Sequence, residues 1–347
     1  MDPYGLRRVL APAGVMPQQA AALDPSLPIG EDELAIAVEA LNVDAASFRQ
    51  IEGEVGRDPA CIAARVEDIV RERGKLHNPV TGSGGMLIGR VEEVGPRHPA
   101  ARALAPGDRV ATLVSLTLTP LMIRRIIAVR PEVERVECEG RAILFSSGLW
   151  ARLPNDLPDG LVLSALDVCG APALIARHAQ PGHRVLVVGA GKSGALACAQ
   201  ARASLAGRGE VVAADRAQRP LRALEALNLC DRTLLVDATD AAETLSAVQN
   251  AGDLFDLVVN CASTPGTELA SVLCVRDGGT VIFFSMATSF SAVALGAEGV
   301  AKDAHLVIGS GYVPGHAELT LDLLRRNAKL RALFEERCAR PLGSGAT

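Results

Sequence analysis

Long apolar stretches are missing from this chain. No run reaches the length needed to span a bilayer, and Met1-Asp-Pro-Tyr-Gly-Leu-Arg-Arg carries no signal-peptide pattern. The expectation is a cytoplasmic protein that does not engage membranes. Blocks of basic residues are missing too: 35 Lys and Arg against 40 Asp and Glu leave a net charge of −5, which argues against nucleic acid as a partner. The eight cysteines lie far apart with no C-x-x-C pair, which argues against a zinc ribbon and fits reduced thiols. Aromatic residues make up only 3% of the chain, a bias that says little about function. Internal repeats and low-complexity tracts are absent. What remains is an ordinary globular composition, 49% hydrophobic over 347 residues, enough for two domains with separate cores.

The strongest signal is Val185-Leu-Val-Val-Gly-Ala-Gly-Lys-Ser-Gly194. Four apolar residues read as a buried strand; Gly189, Gly191 and Gly194 form a G-x-G-x-x-G turn; Ala195 onward is a good helix former. In a dinucleotide site the three glycines serve a tight turn, close approach of pyrophosphate and helix–strand packing. The amides at the helix start then hold the pyrophosphate. A second apolar run, Val211 to Ala214, ends in Asp215, 21 positions after Gly194, where a ribose hydroxyl needs an acceptor. Gly-Lys-Ser also occurs in nucleotide-triphosphate loops, but that pattern needs a glycine where Leu186 stands.

In chain order, residues 1 to about 30 read as an irregular lead-in. Glu33 to Leu41 alternates as a strand. Asp44 and Ser47 follow at the strand end, either facing a cleft or capping a helix. Ala60 to Arg73 has helical spacing at Ile62, Val66, Ile69 and Val70. The glycine-rich stretch from Gly74 to Met86 holds Lys75, Thr81 and Ser83, a composition suited either to receiving a small anion or to a plain connector. Short strands separated by turns continue through Ser115-Leu-Thr-Leu-Thr-Pro-Leu and predict a small, partly antiparallel β domain. Leu161 to Ala179 reads as one long apolar helix carrying Asp167, whose carboxylate would need a partner if buried. Strands at 185–188, 210–214, 233–236, 256–260, 280–284 and 305–308 then alternate with helices, the pattern of a doubly wound parallel sheet. A last helix, about 316 to 337, is expected to fold back onto the first domain.

Gly89-Arg-Val-Glu-Glu-Val-Gly, Pro106-Gly-Asp-Arg-Val and Pro181-Gly-His-Arg-Val-Leu-Val-Val-Gly resemble the medium-chain dehydrogenase/reductase superfamily. The resemblance implies an α/β protein with a GroES-like β-barrel catalytic domain over 1–155, completed by 311–347, and a Rossmann NAD-binding domain over 156–310. It also shows what is missing. Thr81-Gly-Ser-Gly-Gly stands in place of a Gly-His-Glu zinc motif, and Asn42-Val-Asp replaces an early cysteine. Cys169 alone cannot make a catalytic zinc site, and no cluster of four cysteines offers a structural one. No metal is therefore expected. Longer phrases are more specific. Asn78-Pro-Val-Thr-Gly-Ser-Gly-Gly-Met, Ala165-Leu-Asp-Val-Cys-Gly-Ala-Pro-Ala, Phe283-Phe-Ser-Met-Ala-Thr-Ser-Phe and Leu295-Gly-Ala-Glu-Gly-Val resemble the L-erythro-3,5-diaminohexanoate dehydrogenase family. That resemblance implies a lysine-fermentation enzyme that converts a 3-amino group to a 3-oxo group with NAD, releasing ammonia and leaving 5-amino-3-oxohexanoate.

Such a reaction needs a neutral amine, hydride loss to nicotinamide and hydration of the iminium, with carboxylates and a lysine managing protons. The catalytic candidates are Asp167, Glu298, Lys75 and Asp44. Glu298 and Lys302 are four apart and would share a helix face. Ser47, Thr81 and Ser83 are candidates for substrate. The cofactor set is Gly189, Gly191, Lys192, Ser193, Gly194, Asp215, Arg216, Ser285 and Met286. Partners are expected to be a small diamino acid and a second copy of the chain in a homodimer. Two other classes share these features. A zinc-free quinone or enone reductase would prefer NADPH, which Asp215 opposes; a non-catalytic NAD sensor would need the loop without converging ionisable groups.

Overall fold

The structure, a computed structural model, describes residues 1–78, 82–308 and 312–339. It divides into two compact units, Met1–Leu163 and Ser164–Arg337.

The first unit opens with β1 (Val9–Ala11) and β2 (Ala22–Leu23), paired antiparallel. This lead-in is more anchored than its composition predicts. The Arg8 guanidinium makes a fork with Glu33, Nε to Oε1 at 3.1 Å and Nη2 to Oε2 at 2.7 Å, and both residues are buried. Bidentate geometry is what allows such a pair to be held away from water. Then come β3 (Glu33–Asn42), α1 (Ala45–Val55), α2 (Pro59–Arg73), β4 (Met86–Val94), β5 (Arg109–Thr112), β6 (Leu121–Arg130), β7 (Arg135–Phe145) and β8 (Trp150–Arg152). The sheet runs β6-β7-β3-β4-β5-β8, antiparallel throughout, with β3 central. The spacing read for α2 holds: Ile62, Val66, Ile69 and Val70 are buried, Asp58 caps its start and Pro59 occupies the first turn. The Ser115 stretch departs from the strand reading. Leu116–Leu118 is a single 3-10 turn, started by the Ser115 hydroxyl accepting from the Thr117 amide.

The predicted helix over 161–179 is two. α3 (Asp159–Leu166) and α4 (Gly170–His178) are bent by 53° at a break that holds Asp167. Together they have the length and apolar composition of a bent membrane span, but most of their residues are buried in the protein. No single helix among the described residues is long and apolar enough to cross a membrane.

The second unit continues with β9 (Arg184–Val188), α5 (Lys192–Leu205), β10 (Glu210–Asp215), α6 (Gln218–Ala226), β11 (Arg232–Leu235), α7 (Ala241–Ala251), β12 (Phe255–Asn260), α8 (Glu268–Cys274), β13 (Val275–Phe283), α9 (Phe290–Gly299), β14 (Ala304–Ile308), α10 (His316–Arg326) and α11 (Ala328–Ala339). Every ladder is parallel and the order is β11-β10-β9-β12-β13-β14. Numbered within this sheet, that is 3-2-1-4-5-6, the Rossmann order. Its central strands are buried on both faces, as their unbroken Val and Ala runs require. The expected return of the last helix to the first domain meets a different arrangement. The helix breaks at Asn327, and α10 packs against α4 and α5 within the second unit. Leu321 and Leu324 of α10 are buried.

Candidate active site

In the second unit β9 ends at Val188 and the chain turns through Gly189 at φ +93°, a conformation a side chain would strain. Gly194 sits where a Cβ would collide with the Gly189 carbonyl, so only glycine lets α5 start this close to the strand. Gly191 caps α5 and has open space where its side chain would be. A cavity of about 180 Å³ opens at this turn. Its walls come from the carboxyl ends of four neighbouring strands: Val188, then Ala214 and Asp215, then Val236 and Asp237, then Cys261 and Ala262. Ligands bind at this edge of an open α/β sheet, where strand order reverses.

Asp215 is fixed by both oxygens. Oδ2 accepts from the Ala190 amide at 2.7 Å and Oδ1 from the Ala217 amide at 2.8 Å. Each carboxylate oxygen has a second lone pair, so the same group that ties the glycine loop to β10 can also accept a ribose hydroxyl. Asp237 lies on the same cavity. The Thr239 amide and hydroxyl hold its carboxyl below the usual range, and the Arg216 guanidinium adds to this. Arg216 therefore faces a second acid as well as the cavity. The sequence reading missed Asp237 and Cys261, because the loops after β11 and β12 carry no motif.

The other cofactor candidates fall in different places. The Lys192 ammonium lies 3.3 Å from Asp167 Oδ2, with each side chain 42% exposed. Asp167 is thus an accessible, paired carboxylate in a helix break, not a buried one on a helix face. Ser193 is partly buried in the first turn of α5. Ser285 follows β13 and uses its hydroxyl to accept from the Ala287 amide; Met286 beside it is 98% exposed. Neither Ser285 nor Met286 lines the 180 Å³ cavity.

In the first unit three candidates converge. Asp44 caps α1, accepting from the amides of Ala46 and Ser47. Its Oδ2 also accepts from the Ser47 hydroxyl at 2.7 Å, and that hydroxyl is 3.5 Å from the Ser83 hydroxyl. The capping role and the polar cluster are therefore both real. Thr81 lies outside the described residues. Lys75 is fully buried, and its ammonium donates to the carbonyls of Pro17 at 2.8 Å and Gln18 at 3.3 Å. Burial pushes it down to about 8, with Arg73 adding repulsion. It is spent on backbone carbonyls and does not reach into a cleft. Glu298 and Lys302 do not share a face. α9 ends at Gly299, Ala301 turns at φ +49°, and Lys302 donates to the Val275 carbonyl at 2.9 Å, leaving Glu298 exposed.

One residue of the first unit carried no motif at all. His77 Nδ1 is 2.6 Å from the hydroxyl of buried Thr117. Its ring lines a second cavity, of about 580 Å³. Burial lowers its pKa, and the Lys75 and Arg73 charges lower it further, so the ring is neutral at neutral pH. Among the described residues no group of three or more His, Cys, Asp or Glu is placed to hold a metal ion.

A Rossmann sheet with this glycine turn and fixed acid, in one chain with a GroES-like antiparallel sheet, is the architecture of a nicotinamide-dependent dehydrogenase. An alcohol dehydrogenase from Thermotoga maritima shares the fold, with a TM-score of 0.56 at 18% identity over 88% of this chain and 85% of that one. Residues 7–154 match the model of the L-erythro-3,5-diaminohexanoate dehydrogenase N-terminal domain. Over 336 residues the chain is 48% identical to L-erythro-3,5-diaminohexanoate dehydrogenase of Acetoanaerobium sticklandii, covering 96% of this chain and 98% of that protein. It is 46% identical to the enzyme of the same name from Fusobacterium nucleatum, covering 96% and 97%. The chain belongs to the L-erythro-3,5-diaminohexanoate dehydrogenase family.

Proposed function

We propose that the chain oxidises L-erythro-3,5-diaminohexanoate at C3, in lysine fermentation. The amine carbon loses a hydride and water enters the resulting iminium. Ammonia and a proton leave, giving 5-amino-3-oxohexanoate. NAD, when bound, supplies the hydride acceptor. The observation that carries this reading is the full-length similarity to two enzymes of that name. Within the chain, Gly189, Gly191, Lys192 and the first turn of α5 would hold the pyrophosphate, and Asp215 the ribose. Asp215 and Asp237 together disfavour a 2′-phosphate, which argues for NAD and against the NADPH-dependent quinone or enone reductase.

The substrate amine must be neutral before its carbon can give up hydride. We assign that proton to the chain of hydroxyls Ser83–Ser47, ending on the Asp44 carboxylate. This polar cluster also weighs against a non-catalytic sensor. The decisive assay is NAD reduction with 3,5-diaminohexanoate against simple alcohols and quinones. Turnover restricted to the diamino acid, with one ammonia per NADH, is the expected result; turnover of quinones instead would replace this reading.

A homodimer in the cytoplasm completes the proposal. The described cysteines are free thiols, most of them buried, which suits a reducing compartment. Edge strand β14 and the exposed apolar side chains Phe290 and Leu295 of α9, 71% and 67% exposed, offer a surface for a second copy. Sedimentation should give twice the chain mass, and Phe290→Glu with Leu295→Glu should give monomer.

A further inference from the structure

The 580 Å³ cavity lies within the first unit and has a distinct chemistry. Its polar lining includes Gln18, Gln19, His77 and Ser147; Phe145 and Leu118 supply apolar wall. No Asp or Glu lines it. Behind that wall sits Lys75, fully buried, its ammonium on the carbonyls of the two cavity residues Pro17 and Gln18. No carboxylate pairs with it among the described residues. A buried ammonium without a counter-ion is costly. Its field favours an anion in the adjoining space.

His77 supplies the directional element. Its Nδ1 is committed to the Thr117 hydroxyl at 2.6 Å. Where the Thr117 hydroxyl donates to Nδ1, the ring proton sits on Nε2. A neutral ring in that tautomer offers Nε2 as a hydrogen-bond donor.

We propose that this cavity receives the carboxylate end of the amino-acid substrate, with His77 Nε2 donating to the carboxylate and Lys75 supplying the favourable charge from behind the wall. The assignment rests on the diaminohexanoate reading above and names the part of the first unit that reads the acid. Thr117 is a positioning residue: it acts only through its hydrogen bond to His77 Nδ1.

The test compares ligands that differ only at that end. 2,4-Diaminopentane is the substrate with its carboxylate replaced by hydrogen. His77→Asn keeps a polar atom near Thr117 and loses Nε2; His77→Gln keeps a donor near the Nε2 position. With NAD saturating, His77→Asn should raise KM for 3,5-diaminohexanoate about tenfold or more with kcat little changed. His77→Gln should recover part of that loss. The inhibition constant of 2,4-diaminopentane should stay within twofold of wild type in both variants. An equal rise for the carboxylate-free diamine, or no rise in KM, would overturn the assignment. Wild-type enzyme inactive on 3,5-diaminohexanoate would instead sink the functional reading itself.

A second measurement needs no variant. Diethylpyrocarbonate should modify His77 in the wild-type protein, located by mass spectrometry. 3-Aminobutanoate should protect it and 2,4-diaminopentane should not. Equal protection by both, or by neither, counts against the proposal.

Discussion

The Lys192 ammonium lies 3.3 Å from the Asp167 carboxylate, tying the break between α3 and α4 to the first turn of α5. Both side chains are accessible, so the pair contributes below about 1 kcal/mol to stability. Its weight falls on the cofactor loop. Asp167→Asn should release Lys192 toward the pyrophosphate and lower KM for NAD a few fold, leaving kcat within about twofold. Steady-state kinetics over NAD concentration decide it; a hundredfold drop in kcat would return Asp167 to proton handling.

Asp215 does two jobs at once, so its loss should show in two readouts. Asp215→Asn cannot accept from both Ala190 and Ala217 amides, since one oxygen becomes a donor group. The ratio of kcat/KM for NAD over NADP should fall about tenfold or more. The stabilisation of the protein by added NAD, measured as a thermal shift, should shrink with it.

Capping and proton transfer can be separated at Asp44. Asparagine caps a helix about as well as aspartate, whereas alanine costs about 1 kcal/mol. Asp44→Asn should therefore leave unfolding stability near wild type while cutting kcat strongly. Asp44→Ala should lose both. Denaturant titration beside initial rates distinguishes the two roles, and full activity in Asp44→Asn would remove that carboxylate from the chemistry.

Lys75 makes stability depend on pH. Its folded value is lowered to about 8 from the ordinary 10.5, so between those values the unfolded chain binds the extra proton. Stability from this group is smallest below about pH 8 and rises as pH climbs toward 10.5, by at most about 3 kcal/mol. Urea midpoints from pH 7 to 10 should show the rise, and Lys75→Met should flatten it.

The Rossmann unit was legible because its signals are local. A buried apolar run, three glycines and an acid at fixed spacing each dictate backbone geometry within a few residues, and the six strands fell within a few residues of their expected places. The break at Asp167 was hidden because apolar residues continue on both sides of it, and the bend is set by what they pack against. Glu298 and Lys302 have helical spacing, yet the helix ends between them when Lys302 finds the Val275 carbonyl. Asp44 was readable as either cap or cleft residue and proves to serve a cap and a hydroxyl network together. His77 and Asp237 had no pattern to betray them; their importance comes from neighbours 40 residues away or on the next strand.

The fork between Arg8 and Glu33 has a practical reach beyond the lead-in it anchors. Shortening the chain past Arg8 would not simply remove a surface strap. It would strand the Glu33 carboxylate inside the antiparallel sheet without a counter-ion, a defect on the order of 3–5 kcal/mol. Affinity tags belong ahead of Met1, and any expression design that trims the first ten residues should also exchange Glu33 for a neutral side chain.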